Sequence, residues 1–221
     1  DLYGVNFSGI DLSGAKFSTD LSEVYFNDVD LTGAKFAGAT NLNRAYFMGS
    51  TILKEADFSD TDLYGVNFNG LDLSGAKFST NLYGVNFSGV DLTGAKFSGA
   101  TQLRDALLDS STILKEADFS DTDLYGVNFN GVDLTGAKFS TDLSEVYFND
   151  VDLTGAKFAG ATNLNRAYFM GSTILKEADF SDTDLYGVNF NGLDLSGAKF
   201  STNLYGVNFS GVDLTGAKFS G

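Results

Sequence analysis

The chain is 221 residues long, carries a formal charge of −15 from 14 basic and 29 acidic side chains, and contains no Pro, Cys, His or Trp. Missing His and Cys remove the usual general base, the activated thiol and the commonest zinc ligands, leave the redox compartment unread, and set expectations against catalysis and against any cofactor. The acidic balance speaks against direct nucleic-acid binding and fits solubility or a basic protein partner; no apolar run approaches the ~18 residues of a membrane span, and no charged-then-apolar leader precedes the first repeat.

The first coil runs through Leu2, Phe7, Leu12 and Phe17, bulky residues five apart, and then Leu21 arrives one residue early. The second coil resumes the beat at Phe26, Leu31 and Phe36 and reaches Leu42 by a six-residue step. The third passes Phe47, takes another six-residue step to Leu53, and closes through Phe58 to Leu63. These coils span 19, 21 and 21 residues and make a unit of 61; its opening DLYGVNF recurs at 62, 123 and 184. The irregular steps lie between faces, where a corner is expected to absorb a residue; a slip within a strand-like face would turn its core residues outward. Residues 1–99 and 123–221 differ only at Ser8/Asn130, Ile10/Val132 and Ser13/Thr135. Such identity marks a recent duplication, an engineered concatenation or a window of a longer array. With no linker and no composition shift, residues 1–221 read as one domain.

Sorted four to a coil, the 44 bulky centres form four pure columns in 11 coils. The first face is leucine from Leu2 to Leu204 and the third from Leu12 to Leu214; the fourth is phenylalanine from Phe17 to Phe219, and the second from Phe7 to Phe209 except at Leu108. The small residue two before each centre is predicted to point inward: Thr on the first face from Thr19 and Thr40 to Thr202, Val or Ala on the second, Ile, Val, Leu or Thr on the third, Ala on the fourth. The residue just before each centre is predicted to face out. On the third face this column reads Asp11, Asp30, Ile52, Asp72, Asp91, Ile113, Asp133, Asp152, Ile174, Asp194, Asp213; on the fourth it runs Lys16, Lys35, Asp57, Lys77, Lys96, Asp118 and on to Lys218. Tyr25, Tyr46, Tyr147 and Tyr168, with Tyr3, Tyr64, Tyr83, Tyr125, Tyr186 and Tyr205, are expected to make an outward, partly aromatic side. Arg44, Arg104 and Arg166 read as solvated corner charges.

Around each centre the residues spell A-[DNK]-[LF]-x-x, as in GAKFS, EADFS, GVNFN and TDLYG. Over its whole length the chain resembles the pentapeptide-repeat family. The resemblance implies an all-β fold: a right-handed quadrilateral parallel β-helix (solenoid) of 11 coils, four pentapeptide faces to a coil. Coils spaced at about 4.8 Å would make a rod about 50 Å long, each coil touching only its neighbours.

Neighbouring carboxylates such as Asp11 and Asp30 would lie about 5 Å apart, near the spacing of a retaining glycosidase pair. A catalytic pair needs unlike environments to split its titration; here one pair recurs down the rod, so the column reads as a solvated ladder. Calcium takes such oxygen ligands, but its paired-glycine β-helix motif is absent and no metal site is expected. Two functions remain. In the first, the chain is a non-enzymatic structural solenoid that stacks end to end on itself, or a segment of a longer fibre or array. Its interface would be Leu2, Phe7, Leu12 and Phe17 at one end and Leu204, Phe209, Leu214 and Phe219 at the other, because an open coil exposes core and unpaired strand edges. Joining end to start gives KFSG-DLYGVNF, with the four-residue corner of KFSTNLYGVNF. In the second, the resemblance implies an acidic DNA mimic. Some members of the family, quinolone-resistance proteins among them, are rods that bind type II topoisomerases. The surface for such a partner, or another protein with a basic face, would be Asp11, Asp30, Asp72, Asp91, Asp133, Asp152, Asp194 and Asp213. The helical dimerisation module and the loops of those proteins have no counterpart in the sequence, and the lysine column interrupts the acidity.

Overall fold

The structure, a computed structural model, describes residues 2–220. Most pentapeptides turn their corner in one way. In Leu12–Ser13–Gly14–Ala15 the Ala15 N–H donates to the Leu12 carbonyl at 3.0 Å while Gly14 takes φ +68°, the left-handed third position that a type II turn demands. Glycine reaches that φ without a steric penalty. Glu23, Asp28 and Glu55 occupy equivalent positions at φ 55–56°, carrying a side chain at the corner at some conformational cost.

Between corners the backbone is extended and pairs in parallel with the segment 19 to 22 residues further on, as Asp11 does with Asp30 and Asp30 with Ile52. The longest continuous strands are only three residues, Tyr25–Asn27 and Tyr46–Met48, and the helical content among the described residues is three 3-10 turns, Leu42–Arg44, Leu103–Asp105 and Leu164–Arg166. The fold is therefore a β-helix of stacked coils with almost no helix.

The faces differ in continuity. The third-face column pairs without a gap from Asp11 to Asp213, and the fourth from Lys16 to Lys218. On the second face the ladder runs Asn6, Tyr25, Tyr46 and stops, restarts as Asn67, Asn86, Leu107, again as Asn128, Tyr147, Tyr168, and last as Asn189, Asn208. Each stop follows a coil that carries a 3-10 turn. The cause is the extra residue in the step from Phe36 to Leu42. Ala39 closes an ordinary corner on the Phe36 carbonyl at 2.8 Å and Thr40 pairs with Asp20; Asn41 is then left over, turns left-handed at φ 57°, and starts the 3-10 turn.

That arrangement corrects two sequence expectations. The surplus residue of Phe36–Leu42 is carried on the first face and not at the corner. The inward column before the first face is also not uniformly Thr: Ala39, Ala100 and Ala161 are buried there while Thr40, Thr101 and Thr162 face out. Only Thr61, Thr122 and Thr183 are fully buried in that column, and each hydroxyl donates to a carbonyl of the preceding coil, Phe36, Phe97 and Phe158, at 2.8 Å. The six-residue step from Phe47 to Leu53 does lie at a corner. There Thr51 is buried and its hydroxyl bridges the Phe26 and Met48 carbonyls.

The core is the set of Leu and Phe columns with the Ala and Val that precede them. Fourth-face rings stack from Phe17 to Phe219 at centroid distances of 4.8–5.5 Å and interplanar angles of 8–15°. Rings of the second face meet them edge-on, as Phe26 does Phe36 at 88°, the favourable quadrupole arrangement. Each buried Phe or Leu contributes about 1.5–3 kcal/mol from area alone.

Candidate functional site

The aspartates of the third face form one parallel ladder on the outside of the coils, Asp11 beside Asp30, Asp72 beside Asp91, Asp133 beside Asp152 and Asp194 beside Asp213, with Ile52, Ile113 and Ile174 between the pairs. Their carboxylates do not hang free. In each, Oδ1 accepts the backbone N–H two residues on, from Ser13 to Asp11 at 2.9 Å, Thr32 to Asp30 at 2.9 Å, and Thr215 to Asp213 at 2.8 Å. This local turn fixes every carboxylate at the same height on its coil. The Ser13 N–H and hydroxyl hold the Asp11 carboxyl below the usual carboxylate range. Partial burial pushes the Asp72 carboxyl up, but Ser74 and Lys54 outweigh it and the group titrates low. Lys54 reaches Asp72 Oδ2 at 3.2 Å, and Lys115 reaches Asp133 in the same way. Among the described residues no cluster of three or more acidic side chains is placed to hold a metal ion, and no helix is long and apolar enough to cross a membrane.

At the ends, Leu2, Phe7 and Leu12 are half-buried at one side and Leu204, Phe209 and Leu214 at the other. Phe17 is nearly covered, whereas Phe219 is 54% exposed although Phe200, one coil inward in the same column, is 2% exposed. The outermost rings remain stacked on their inner neighbours, Phe7 on Phe26 at 5.7 Å and Phe219 on Phe200 at 5.0 Å. Their outer faces have no ring to meet among the described residues.

Sequence reasoning missed a third feature. Where the second-face ladder stops below the 3-10 turn, a notch of about 370 Å³ opens, lined by Glu23, Asn43, Arg44, Ala45, Tyr46 and Asn67. Arg44 is exposed, and it also lines this notch. The six-residue step was the available signal, but only hydrogen-bond geometry shows that it breaks the ladder. All ten tyrosines are exposed, and Tyr25 stacks on Tyr46 and Tyr147 on Tyr168, both at 4.7 Å.

The sequence model described as pentapeptide repeats matches residues 19–51, 40–79, 80–108, 101–140, 141–173, 162–201 and 202–221. The chain belongs to the pentapeptide-repeat family. No curated protein sequence matches this pentapeptide-repeat chain. Among solved structures it is similar to HetL, a pentapeptide repeat protein involved in heterocyst differentiation regulation in the cyanobacterium Nostoc sp. Strain PCC 7120, at 20% identity over 96% of this chain and 90% of that one, with a TM-score of 0.38. It is also similar to QnrB1, a plasmid-mediated fluoroquinolone resistance protein, at 20% identity over 97% of this chain and 93% of that one, again with a TM-score of 0.38. A pentapeptide repeat protein of the Arabidopsis thaliana thylakoid lumen is 30% identical over 48% of this chain and 69% of its own, with a TM-score of 0.26. Family membership rests on the repeat match.

Proposed function

We propose that this pentapeptide-repeat chain is a non-enzymatic structural rod, a right-handed, four-sided β-helix of eleven coils that stacks end to end with further copies of itself. The supporting observation is the contrast within one column: Phe219 is 54% exposed at an open coil and Phe200 is 2% exposed one coil inward. A coil added beyond Phe219 would cover that ring and pair the outer edge of Lys218–Phe219, which among the described residues pairs with Lys199–Phe200 on its inner side. The Leu and Phe columns would continue across such a joint, while the three-coil phase of the charge columns would be interrupted there. Such a contact joins unlike surfaces and continues as a filament.

Negative-stain microscopy with light scattering over a concentration series tests this. Filaments of constant width should lengthen with concentration, and Phe219→Glu or Leu2→Lys should shorten them. A monodisperse rod about 50 Å long, the length of eleven coils at strand spacing, seen at every concentration overturns the proposal. A second reading, an acidic surface for a basic protein such as a type II topoisomerase, draws on the fixed carboxylate ladder from Asp11 to Asp213 and the charge of −15. Inhibition of gyrase supercoiling that weakens in Asp72→Asn, Asp91→Asn would support it; no effect on gyrase at any ratio would remove it.

A further inference from the structure

The two uninterrupted faces carry the same charge code with opposite sign. In the first three coils the third face presents Asp11, Asp30 and then neutral Ile52 beside Lys54, while the fourth presents Lys16, Lys35 and then Asp57. One face thus reads minus, minus, plus and the next plus, plus, minus, and both repeat every 61 residues down the rod. Within a single molecule this placement is costly. Asp11 pairs directly with Asp30 and Lys16 with Lys35, and like charges opposite one another on a sheet are destabilising. The third coil of each unit relieves this in part: Lys54 reaches Asp72 at 3.2 Å beside the third face, and on the fourth face Asp57 lies between Lys35 and Lys77, but the like-charged pairs remain in contact. The lysines are exposed, the aspartates are held by their turn bonds with one oxygen pinned, and the unbroken backbone ladders keep both columns in step.

We propose that these faces dock on each other between copies: the third face of one rod lies along the fourth face of a second copy. Each like-charged pair then meets a pair of the opposite sign, and the Lys54 coil meets the Asp57 coil. Both ladders step at the same strand spacing, about 4.8 Å, so a register that matches one three-coil unit matches every unit. The sign sequence reads the same from either end of the eleven coils. Charge therefore sets the register, in steps of three coils, and leaves the relative direction of the rods free. The contact is side by side and joins unlike faces; it is independent of the end-to-end contact, which is apolar.

Cross-complementation of reversed faces tests the inference. One variant carries Lys16→Asp and Lys35→Asp with their counterparts in the later repeats; Lys16→Asp creates the DFS sequence already present at Asp57–Phe58–Ser59, where Ser59 N–H donates to Asp57 at 3.1 Å, and Lys35→Asp differs from it only in the Ala37 that follows. The other carries Asp11→Lys and Asp30→Lys with their counterparts. Association is read as the cross-sectional radius from small-angle X-ray scattering together with mass from sedimentation, since end stacking lengthens a rod without thickening it. The wild-type rod should thicken at low salt, and association should weaken at least about tenfold by 0.5 M NaCl as screening shortens its reach. Each variant alone should associate about a hundredfold more weakly, because like charges then face each other. An equimolar mixture should recover thickened particles, since a positive third face now meets a negative fourth. A wild-type rod that stays at single-rod width at low salt overturns the inference, as does a mixture that fails to recover. The salt series on the wild-type chain keeps the test intact if either variant folds poorly.

Discussion

The third and fourth faces carry unbroken ladders and the first and second do not, although all four are built from the same pentapeptide. From Lys16 to Lys218 every outward residue of the fourth face has a parallel partner, and the rings behind it keep within 15° of parallel. On the second face the ladder ends at Tyr46, and the rings behind the gap, Phe47 and Phe68, are tilted by 44°. The same tilt, 48°, separates Phe169 from Phe190 one full duplication later. A single surplus residue at Asn41 accounts for both effects. The 3-10 turn it starts shifts the following backbone out of reach of the next coil, and the ring below loses its parallel neighbour. Stacking on one side of the rod therefore survives an irregularity that opens the other.

The largest test of that contrast removes a ring from each side. Phe97 is buried between Phe78 at 5.1 Å and Phe119 at 4.9 Å, both stacked. Phe97→Ala should cost about 3–5 kcal/mol through lost contact and an unfilled cavity, measured by urea unfolding. Phe47 sits at the gap, slightly exposed, with one stacked and one tilted neighbour. Phe47→Ala should fall at the lower end of that range or below it. Equal costs would mean that the broken ladder does not loosen the core.

Two glycines sharpen the same point at the corners. Gly49 lies at the six-residue corner at φ +66°, and an added Cβ would overlap Asp28 Oδ1. That carboxylate accepts the Ser50 N–H at 2.8 Å. Gly49→Ala should cost about 2–4 kcal/mol, from left-handed strain together with the displaced hydrogen bond to a charged acceptor. Gly14, at φ +68° with nothing near its missing Cβ, should cost only the strain, about 1–2 kcal/mol. Removing the obstructing side chain in Asp28→Gly, Gly49→Ala should bring the two corners level in thermal unfolding.

Most of the fold was legible because the repeat is so regular. The four columns, their inward Leu and Phe, and the outward Asp and Lys series follow from counting, since a parallel ladder forces residues one coil apart into the same column. The structure departs from that count at Ala39–Thr40–Asn41. There a six-residue step leaves two candidates for the inward place, Ala39 and Thr40, and counting back from Leu42 selects the wrong one. Counting forward from Phe36 gives Ala39, the residue that closes the turn at 2.8 Å. The notch at Arg44 was hidden for the same reason, since it exists only because the ladder fails to reach Asn67. Of the candidate site, the acidic column could be read from sequence; the bonds that hold its carboxylates could not.

The Thr assignments give a smaller contrast. Thr61→Val keeps the buried shape but removes the bond to the Phe36 carbonyl, and should cost about 1 kcal/mol. That carbonyl still accepts the Ala39 N–H at 2.8 Å, which keeps the cost near that of one bond. Thr40→Val, at an exposed position, should change stability by less than about 0.5 kcal/mol. A reversed order in paired melts would restore the uniform inward Thr column.

The smallest expected effect concerns the middle repeat, where the outer repeats' device is inverted. In those repeats Asp28 and Asp150 reach forward to Ser50 and Ser172 in the next coil. In the middle one Asp109 sits inside the six-residue corner and reaches back to Gly89 at 3.2 Å, while Ser111 donates through its hydroxyl at 2.6 Å and its N–H at 2.9 Å. The Ser111 hydroxyl above all holds the Asp109 carboxyl down to about 2, against partial burial that pushes it up. The folded state thus binds this proton less tightly than the unfolded chain, whose Asp titrates near 3.8. The resulting stability is fully present above about pH 4 and is lost as pH falls through 2. Between pH 5 and pH 2 the urea midpoint should drop less steeply in Asp109→Asn than in the parent, and Ser111→Ala should remove part of the same slope. Slopes that match the parent in both variants would place the acid sensitivity in the aspartate ladder of the third face, where Asp11, Asp72, Asp133 and Asp213 are also held low by their turn bonds.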